Sequence, residues 1–473
     1  MMNRRILLSL WTIIFIMTGF EIQPAEANHH RLISRPHYQI EAQYDPHLDQ
    51  VRAHMVVTLP KNQFKKQKEV YFHLFPNAFR QWRFDQVSKP TKPGFIDISK
   101  VSVNRQSVKP VVRETIMKVP LPKTVSNENQ SKIDLDFMLQ LPRGGTRLNT
   151  FKNTAFLAQW YPMLAVKDRE GWHIDPYTTT GDPFYSIMSD FDITIHTPRG
   201  YEVISTAQDQ NQQTGNSFHL KQNNVRDFAA VITRDYRVLR KNVDGIEVNL
   251  WYLDGMEDVI TSLHQAALNG MHFYNQRFGK YPYREVDVVL GETGFGIAGM
   301  EYPGLVTSVP KIPTREGEKA AINVVVHELA HQWWYGVVGN NQVKEPWLDE
   351  GLTTFSEFLY MQEKMNEHDK SFLDRVTVRT NEIHRTVGLT SAEPLYRYPD
   401  SVYGLMVYVR PAAMLYDLMK QVGTEKMMKI LSSYYKTYQY RVATTGDFIK
   451  LAKQVTGKNL DPFFQKWLYF KSQ

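Results

Sequence analysis

The feature that most constrains this chain is a spacing. His327 and His331 stand four residues apart in Val326-His327-Glu328-Leu329-Ala330-His331-Gln332, and Glu350 follows after eighteen further residues. On an α-helix, residues i and i+4 lie one turn apart on the same face, so both imidazoles can reach one ion. Glu350 falls near the start of a second predicted helix, Pro346–Met365, with proline at its head. A fold that lets these three side chains meet must pack the two helices so that their chemistry shares one end. Two His and one Glu leave a fourth position of a tetrahedral zinc open, as a catalytic centre requires. The pattern therefore predicts one Zn2+ held by His327, His331 and Glu350, with Glu328 as general base toward a zinc-activated water. The same donors also suit other divalent ions.

Around this centre the chain divides by texture. From about His37 to Tyr236 short runs alternate apolar and polar residues. Ile133, Leu135, Phe137, Leu139 and Leu141 form one such run, and Phe191, Ile193 and Ile195 another. A period of two predicts strands with one buried face. Ala53–Leu59 and Val70–Leu74 read the same way, and polar loops such as Thr124–Lys132 separate them. Many short strands at this spacing point to an antiparallel sandwich or curved sheet. After about Val238 the spacing turns helical. Helices are predicted over Met256–Phe278, Thr314–Tyr335, Pro411–Val422 and Thr445–Val455, with strands at Ile246–Tyr252 and Glu285–Leu290.

Arg4 and Arg5, the apolar run Ile6–Phe20 and then Ala25-Glu26-Ala27 match a secretory signal cut after Ala27. Fifteen apolar residues are short for a spanning helix, although an uncleaved N-terminal anchor is the alternative. The expected location is thus secreted or extracytoplasmic, with membrane contact only through such an anchor. The chain has no cysteine, which excludes thiol catalysis and Cys-ligated zinc. A net charge of +7 over 473 residues forms no stripe suited to nucleic acid. The basic run Lys61–Lys68 reads as a solvated loop, or as a contact to an anionic surface.

With these residues laid out, the second half resembles the aminopeptidase N-type zinc metallopeptidases, the gluzincin aminopeptidases related to leukotriene hydrolase. The resemblance rests on HELAHQWW with Glu350 inside Leu348-Asp349-Glu350-Gly351, on Phe278-Gly279-Lys280-Tyr281-Pro282-Tyr283 and on Gly299-Met300-Glu301. It extends to Tyr408-Val409-Arg410-Pro411-Ala412 and Phe463-Phe464-Gln465-Lys466-Trp467-Leu468. It covers about Ile246 to Leu468 and is weaker over the β half. Together with the N-terminal pattern and the strand texture, it points to an α+β chain with a signal peptide over 1–27, an N-terminal antiparallel β-sandwich or saddle domain over 28–240, and a mainly helical thermolysin-like catalytic domain over 241–473. It further implies that Glu301 binds the free α-amine of a peptide, that Tyr408 donates to the oxyanion, and that Gly299 and Met300 lend backbone groups beside the scissile bond. Tyr403 is a candidate second hydroxyl in the pocket. The sequence departs from the family pattern at Tyr302, at Arg410-Pro411 and at Asp349. It ends at Gln473, where the family usually continues into a large helical domain, so a short form with a more open cleft is expected.

Two aromatic loop sequences, Gln159-Trp160-Tyr161-Pro162 and Gly181-Asp182-Pro183-Phe184-Tyr185, suit either the substrate entrance or the core. The expected activity is removal of N-terminal residues from peptides. The alternatives are a thermolysin-like endopeptidase, which would gain nothing from an amine-binding Glu301, and a non-enzymatic peptide-binding protein, which would not need Glu328.

Overall fold

Strands form where apolar residues alternate. Those carrying the largest sheet are β1 (His37–Asp45), β2 (Gln50–Pro60), β3 (Phe95–Val103), β4 (Gln130–Gln140), β5 (Ser189–His196) and β6 (Ser217–Val225). Across the sheet they run β6-β5-β1-β2-β4-β3, with the short strands Gln213–Thr214 and Gln106–Ser107 at its edges. Tyr38, Ile40, Ala42 and Tyr44 of β1 are buried, as are Ile133, Leu135, Phe137 and Leu139 of β4, because successive side chains point to opposite faces. One pair departs from the antiparallel expectation: β1 and β5 run parallel, joined by the long chain between them. The computed structural model describes residues 35–471 apart from 61–66, 85–88, 124–129, 209–212, 292–298, 311–316 and 366–370. The expected signal segment and most of the basic run after Pro60 lie outside the described residues.

The second half opens with a mixed four-stranded sheet: β7 (Arg237–Val243), β8 (Ile246–Tyr252), β9 (Glu285–Leu290) and β10 (Leu305–Ser308). The β7–β8 pair is antiparallel and the next two are parallel. The boundary expected at 240/241 falls within β7. Helices follow as α1 (Ile260–Arg277), α2 (Gly317–Ala330), α3 (Trp347–Lys364), α4 (Phe372–Val387), α5 (Arg410–Val422), α6 (Thr424–Tyr438), α7 (Thr445–Thr456) and α8 (Asp461–Tyr469). The sequence reading did not include α4, α6 or α8. It also extended the metal-motif helix to Tyr335, whereas α2 ends at Ala330. Beyond it Gln332 N–H bonds to Leu329 O at 3.1 Å and Trp333 N–H to Ala330 O at 3.0 Å, a tightening of the last turn. The tightened turn accompanies complete burial of Trp333 and Trp334.

Each half has its own apolar core, and a third cluster joins them: Phe156, Ile204 and Val231 of the β half meet Trp251, Val289 and Leu305 of the catalytic half. Arg226 crosses the same seam. Its guanidinium donates to Tyr335 O at 2.6 Å, Arg441 O at 2.6 Å, Ser186 O at 3.1 Å and Val337 O at 3.3 Å. A Cβ at Gly339 would collide with it. A buried cation is tolerated when its donors find acceptors, and here four backbone carbonyls take four of its five N–H groups.

Next to it lies Asp227, 2 % exposed, whose Oδ2 accepts from Tyr335 OH at 2.7 Å and Gln159 Nε2 at 3.3 Å. Its Oδ1 is buried without a hydrogen bond. Burial pushes this carboxyl from 3.8 up to about 6, against the pull of Tyr335 and Gln159. The folded state therefore favours the neutral acid. That contribution is fully present below the unfolded value and is lost as pH rises through about 6. An Asp227→Asn variant, which has no charge to bury, should gain on the wild type by on the order of 2–3 kcal/mol between about pH 4 and pH 7. Urea unfolding at several pH values measures this, and a stability difference independent of pH would refute it.

Candidate active site

The last turn of α2 and the first turn of α3 face each other. His327 lies in the final turn of α2, His331 just past its end, and Glu350 in the first turn of α3. Glu350 Oε2 stands 3.4 Å from His327 Nε2 and 3.3 Å from His331 Nε2. The three residues are one of two groups whose donor atoms converge among the described residues.

The remaining ring nitrogens are already occupied. His327 Nδ1 lies 3.0 Å from Glu357 Oε2. His331 Nδ1 lies 2.8 Å from Asp349 Oδ1, with Trp334 O and Thr353 Oγ1 each at 3.0 Å. A carboxylate beside Nδ1 holds the proton there and turns the Nε2 lone pair inward, as metal-binding histidines require. Glu350 Oε2 is buried yet makes no hydrogen bond. A tetrahedral ion bonded at about 2.0–2.2 Å separates its ligand atoms by about 3.3–3.5 Å, the spacing seen here. The residues present therefore fit a zinc ion.

The centre opens into a cavity of about 480 Å³ lined by residues of both halves. Glu328 and Glu301 stand on its walls, 7 % and 4 % exposed. Burial pushes the Glu328 carboxyl up to about 7, with His327 and His331 opposing and Glu350 and Asp182 adding to the shift. Burial, and then the Asp182 carboxylate, drive Glu301 well above its ordinary range. A dication nearby would return both toward the ionised form. Gly299 is glycine for a steric reason: a Cβ there would collide with Glu328 Oε1.

Met300 N–H and C=O pair with Thr307 O and N–H at 3.4 and 2.9 Å. Its backbone is thus already engaged, and its sulfur takes the Arg147 Nε–H at 2.9 Å. Arg147 also donates to Asp182 Oδ1 at 2.5 Å and Gly181 O at 3.1 Å. Three segments of the cavity wall are tied together by that one side chain.

Tyr408 sits in a π-helical turn, Gly404–Val409, between the short helix Asp400–Tyr403 and α5. Its hydroxyl donates to Glu350 Oε1 at 2.7 Å and its ring lies parallel to His327, 5.9 Å away. Tyr403 packs edge-on against Tyr408 at 5.6 Å and also lines the cavity. The Arg410-Pro411 departure leaves Tyr408 beside the centre, because proline takes a place in the first turn of α5, where no N–H is needed. Arg410 turns inward, donating to Trp467 O at 2.8 Å and Thr380 Oγ1 at 2.6 Å, with its guanidinium over the Phe470 ring at 3.7 Å. The turn that carries Tyr408 is thereby fastened to α4 and α8.

All nine candidate residues named from sequence come together around the cavity. Arg147, Asp182 and Glu357 were not among them. Glu357 follows Glu350 by seven residues on one helix, two turns along the same face, so its place was available from spacing alone. Asp182 belongs to an aromatic loop whose Phe184 is buried in the core, as are Trp160 and Tyr161 of the other loop. Nothing local marks Arg147.

Residues 263–467 match the peptidase family M1 domain. Leucine aminopeptidase 2 of Yarrowia lipolytica is 24% identical over 184 residues, 36% of this chain and 28% of the relative. Aminopeptidase N of Lactococcus lactis is 26% identical over 217 residues, 43% of this chain and 25% of the relative. The chain thus matches less than a third of the length of either relative. In fold, the M1 zinc metallopeptidase of Deinococcus radiodurans superposes with a TM-score of 0.67 at 18% identity, covering 92% of this chain and 94% of that one. A mutant of it with a Tyr-Ser-Ala substrate bound superposes with a TM-score of 0.66. Residues 263–467 therefore carry a peptidase family M1 domain, and over 92% of its length the chain shares the fold of an M1 zinc metallopeptidase.

Proposed function

We propose that this chain is a zinc aminopeptidase that removes single residues from the free N-termini of peptides. One observation carries the reading: a buried carboxylate, Glu301, faces the same cavity as the His327–His331–Glu350 donor set and Glu328. A peptide ammonium held by Glu301 would set the first peptide bond at a fixed distance from the metal centre. The aminopeptidase names of the relatives and the tripeptide bound to the Deinococcus mutant agree with this reading. An extracytoplasmic setting is part of the proposal, supported by the basic, apolar and Ala-x-Ala order of residues 4–27.

His327, His331 and Glu350 would hold the ion, with Asp349 and Glu357 fixing the ring tautomers. Bound zinc would polarise the scissile carbonyl and lower the pKa of a water. Glu328 would take the proton from that water and deliver it to the departing amine. Tyr408, whose hydroxyl now rests on Glu350, would donate instead to the oxygen that gains charge in the transition state. Arg147 would keep Asp182 ionised and hold Met300 in the wall beside the first residue.

The direct test uses one peptide with its N-terminus free or acetylated, before and after zinc chelation. Stepwise trimming of the free form alone, abolished by chelation, is expected. Internal cleavage of the acetylated form at a similar rate would make the protein an endopeptidase.

Two variants probe the assigned roles. Glu328→Gln should keep one zinc per chain by metal analysis while kcat falls by about 10²–10⁴. Tyr408→Phe should lower kcat by about 10²–10³ with KM nearly unchanged. Wild-type turnover in that second variant would remove Tyr408 from the chemistry.

A further inference from the structure

Tyr335 holds a main-chain torsion that its bulk disfavours. Its φ is +115°, a value that a residue with a large side chain rarely adopts. Such a conformation persists where the surroundings over-determine it. Here every polar group of the residue is engaged. Tyr335 N–H donates to Val338 O at 2.8 Å. Its carbonyl accepts from Arg226 Nε at 2.6 Å, and its hydroxyl donates to Asp227 Oδ2 at 2.7 Å. The last two partners come from the β half, directly after β6, and Tyr335 is buried between them and the catalytic half.

The strained residue adjoins a contact to a metal ligand. The Trp334 carbonyl lies in one peptide plane with the Tyr335 nitrogen. With the rest of Tyr335 fixed, φ at Tyr335 therefore sets where Trp334 O points. It points at the His331 ring, 3.0 Å from Nδ1. Nδ1 also meets Asp349 Oδ1 at 2.8 Å and Thr353 Oγ1 at 3.0 Å. A hydroxyl can give or take a hydrogen bond, whereas a main-chain carbonyl only accepts. Trp334 O thus requires an N–H at Nδ1 and leaves the Nε2 lone pair for a metal.

We propose that Tyr335 is a positioning residue for the metal centre, held by Arg226 and Asp227 in the conformation that keeps Trp334 O on His331. This role rests on reading His327, His331 and Glu350 as the zinc ligands. It gives the β half a part in metal binding, although none of the three ligands belongs to that half. Relaxing Tyr335 to an ordinary φ would swing Trp334 O away and free the His331 ring to turn or to change tautomer. Losing a partner behind a metal ligand weakens binding by about 10–100-fold, and the low end applies here because Asp349 remains.

The test is competition for zinc between the full chain and a chelator of known affinity, read as the dissociation constant, with a melting curve to show that each variant is folded. Tyr335→Phe removes only the hydroxyl and should lower zinc affinity by about 10-fold. Asp227→Ala should do the same, which covers the case of one variant failing to fold. Asp227→Asn still offers an oxygen to the Tyr335 hydroxyl and should stay near the wild-type value. Tyr283→Phe is the control. It removes another bond between the halves, Tyr283 OH to Asn224 O at 2.6 Å, without touching Tyr335, and should leave zinc affinity unchanged.

Wild-type zinc affinity in a folded Tyr335→Phe or Asp227→Ala would overturn the role of Tyr335. So would an equal loss in Tyr283→Phe, since loosening the seam would then suffice. Tight zinc that survives Glu350→Gln would overturn the zinc reading itself, and the role of Tyr335 with it.

Discussion

Buried negative charge governs this molecule. Glu301, Glu328, Glu350 and Asp182 are gathered around one cavity with a single guanidinium, an arrangement that is unfavourable until positive charge arrives. Several other features follow from that constraint. The inward-turned Nε2 atoms of His327 and His331 complete a seat for a dication. Arg147 is spent on Asp182. In the proposed function Glu301 would take an ammonium, which is the group that distinguishes the end of a peptide from its middle.

Such a cavity needs walls that do not relax. A rotated imidazole or a displaced carboxylate would dissipate the electrostatics, so each ligand is held by a further partner: Asp349 and Glu357 behind the histidines, Tyr408 behind Glu350. Trp334 O also meets His331 Nδ1, Asp349 and Glu357 both stand on α3, and the Arg410 contacts fasten the π-helical turn that carries Tyr408 to α4 and α8. Rigid support of this kind places a reactive group to within a fraction of an ångström, which is what transition-state stabilisation demands.

The legibility of this design in the sequence was uneven for physical reasons. Strands with one buried face announce themselves by period two, and β2, β4 and β5 lie where the alternation placed them, while β8 and β9, buried on both faces, lie where short apolar runs were read as strands. The metal set was readable because helical spacing constrains it. Helix α4 was not read, although Leu373, Val376, Thr380 and Ile383 recur at helical spacing; polar residues fill most of its other positions, and only Val376 and Thr380 are buried. In α6 the stripe exists, at Met427, Ile430, Leu431, Tyr434 and Tyr435, but its tyrosines blur the contrast between faces. Arg147 and Asp182 reach the cavity from the β half, more than a hundred residues before the motif. Their proximity is a property of the seam between two cores, which no local pattern encodes.

That seam rewards a last look at Arg226. Its partners are the carbonyls of Tyr335, Val337, Arg441 and Ser186, groups that every amino acid possesses. Recognition of this sort is blind to the identity of the side chains beside it. What it demands is a particular path of the main chain and, at Gly339, the absence of a side chain. Side chains at Tyr335, Val337, Arg441 and Ser186 thus play no part in these four bonds, whereas the apolar cluster of the same seam depends on its side chains. A chain can drift far from its relatives in letters and still present the same cleft.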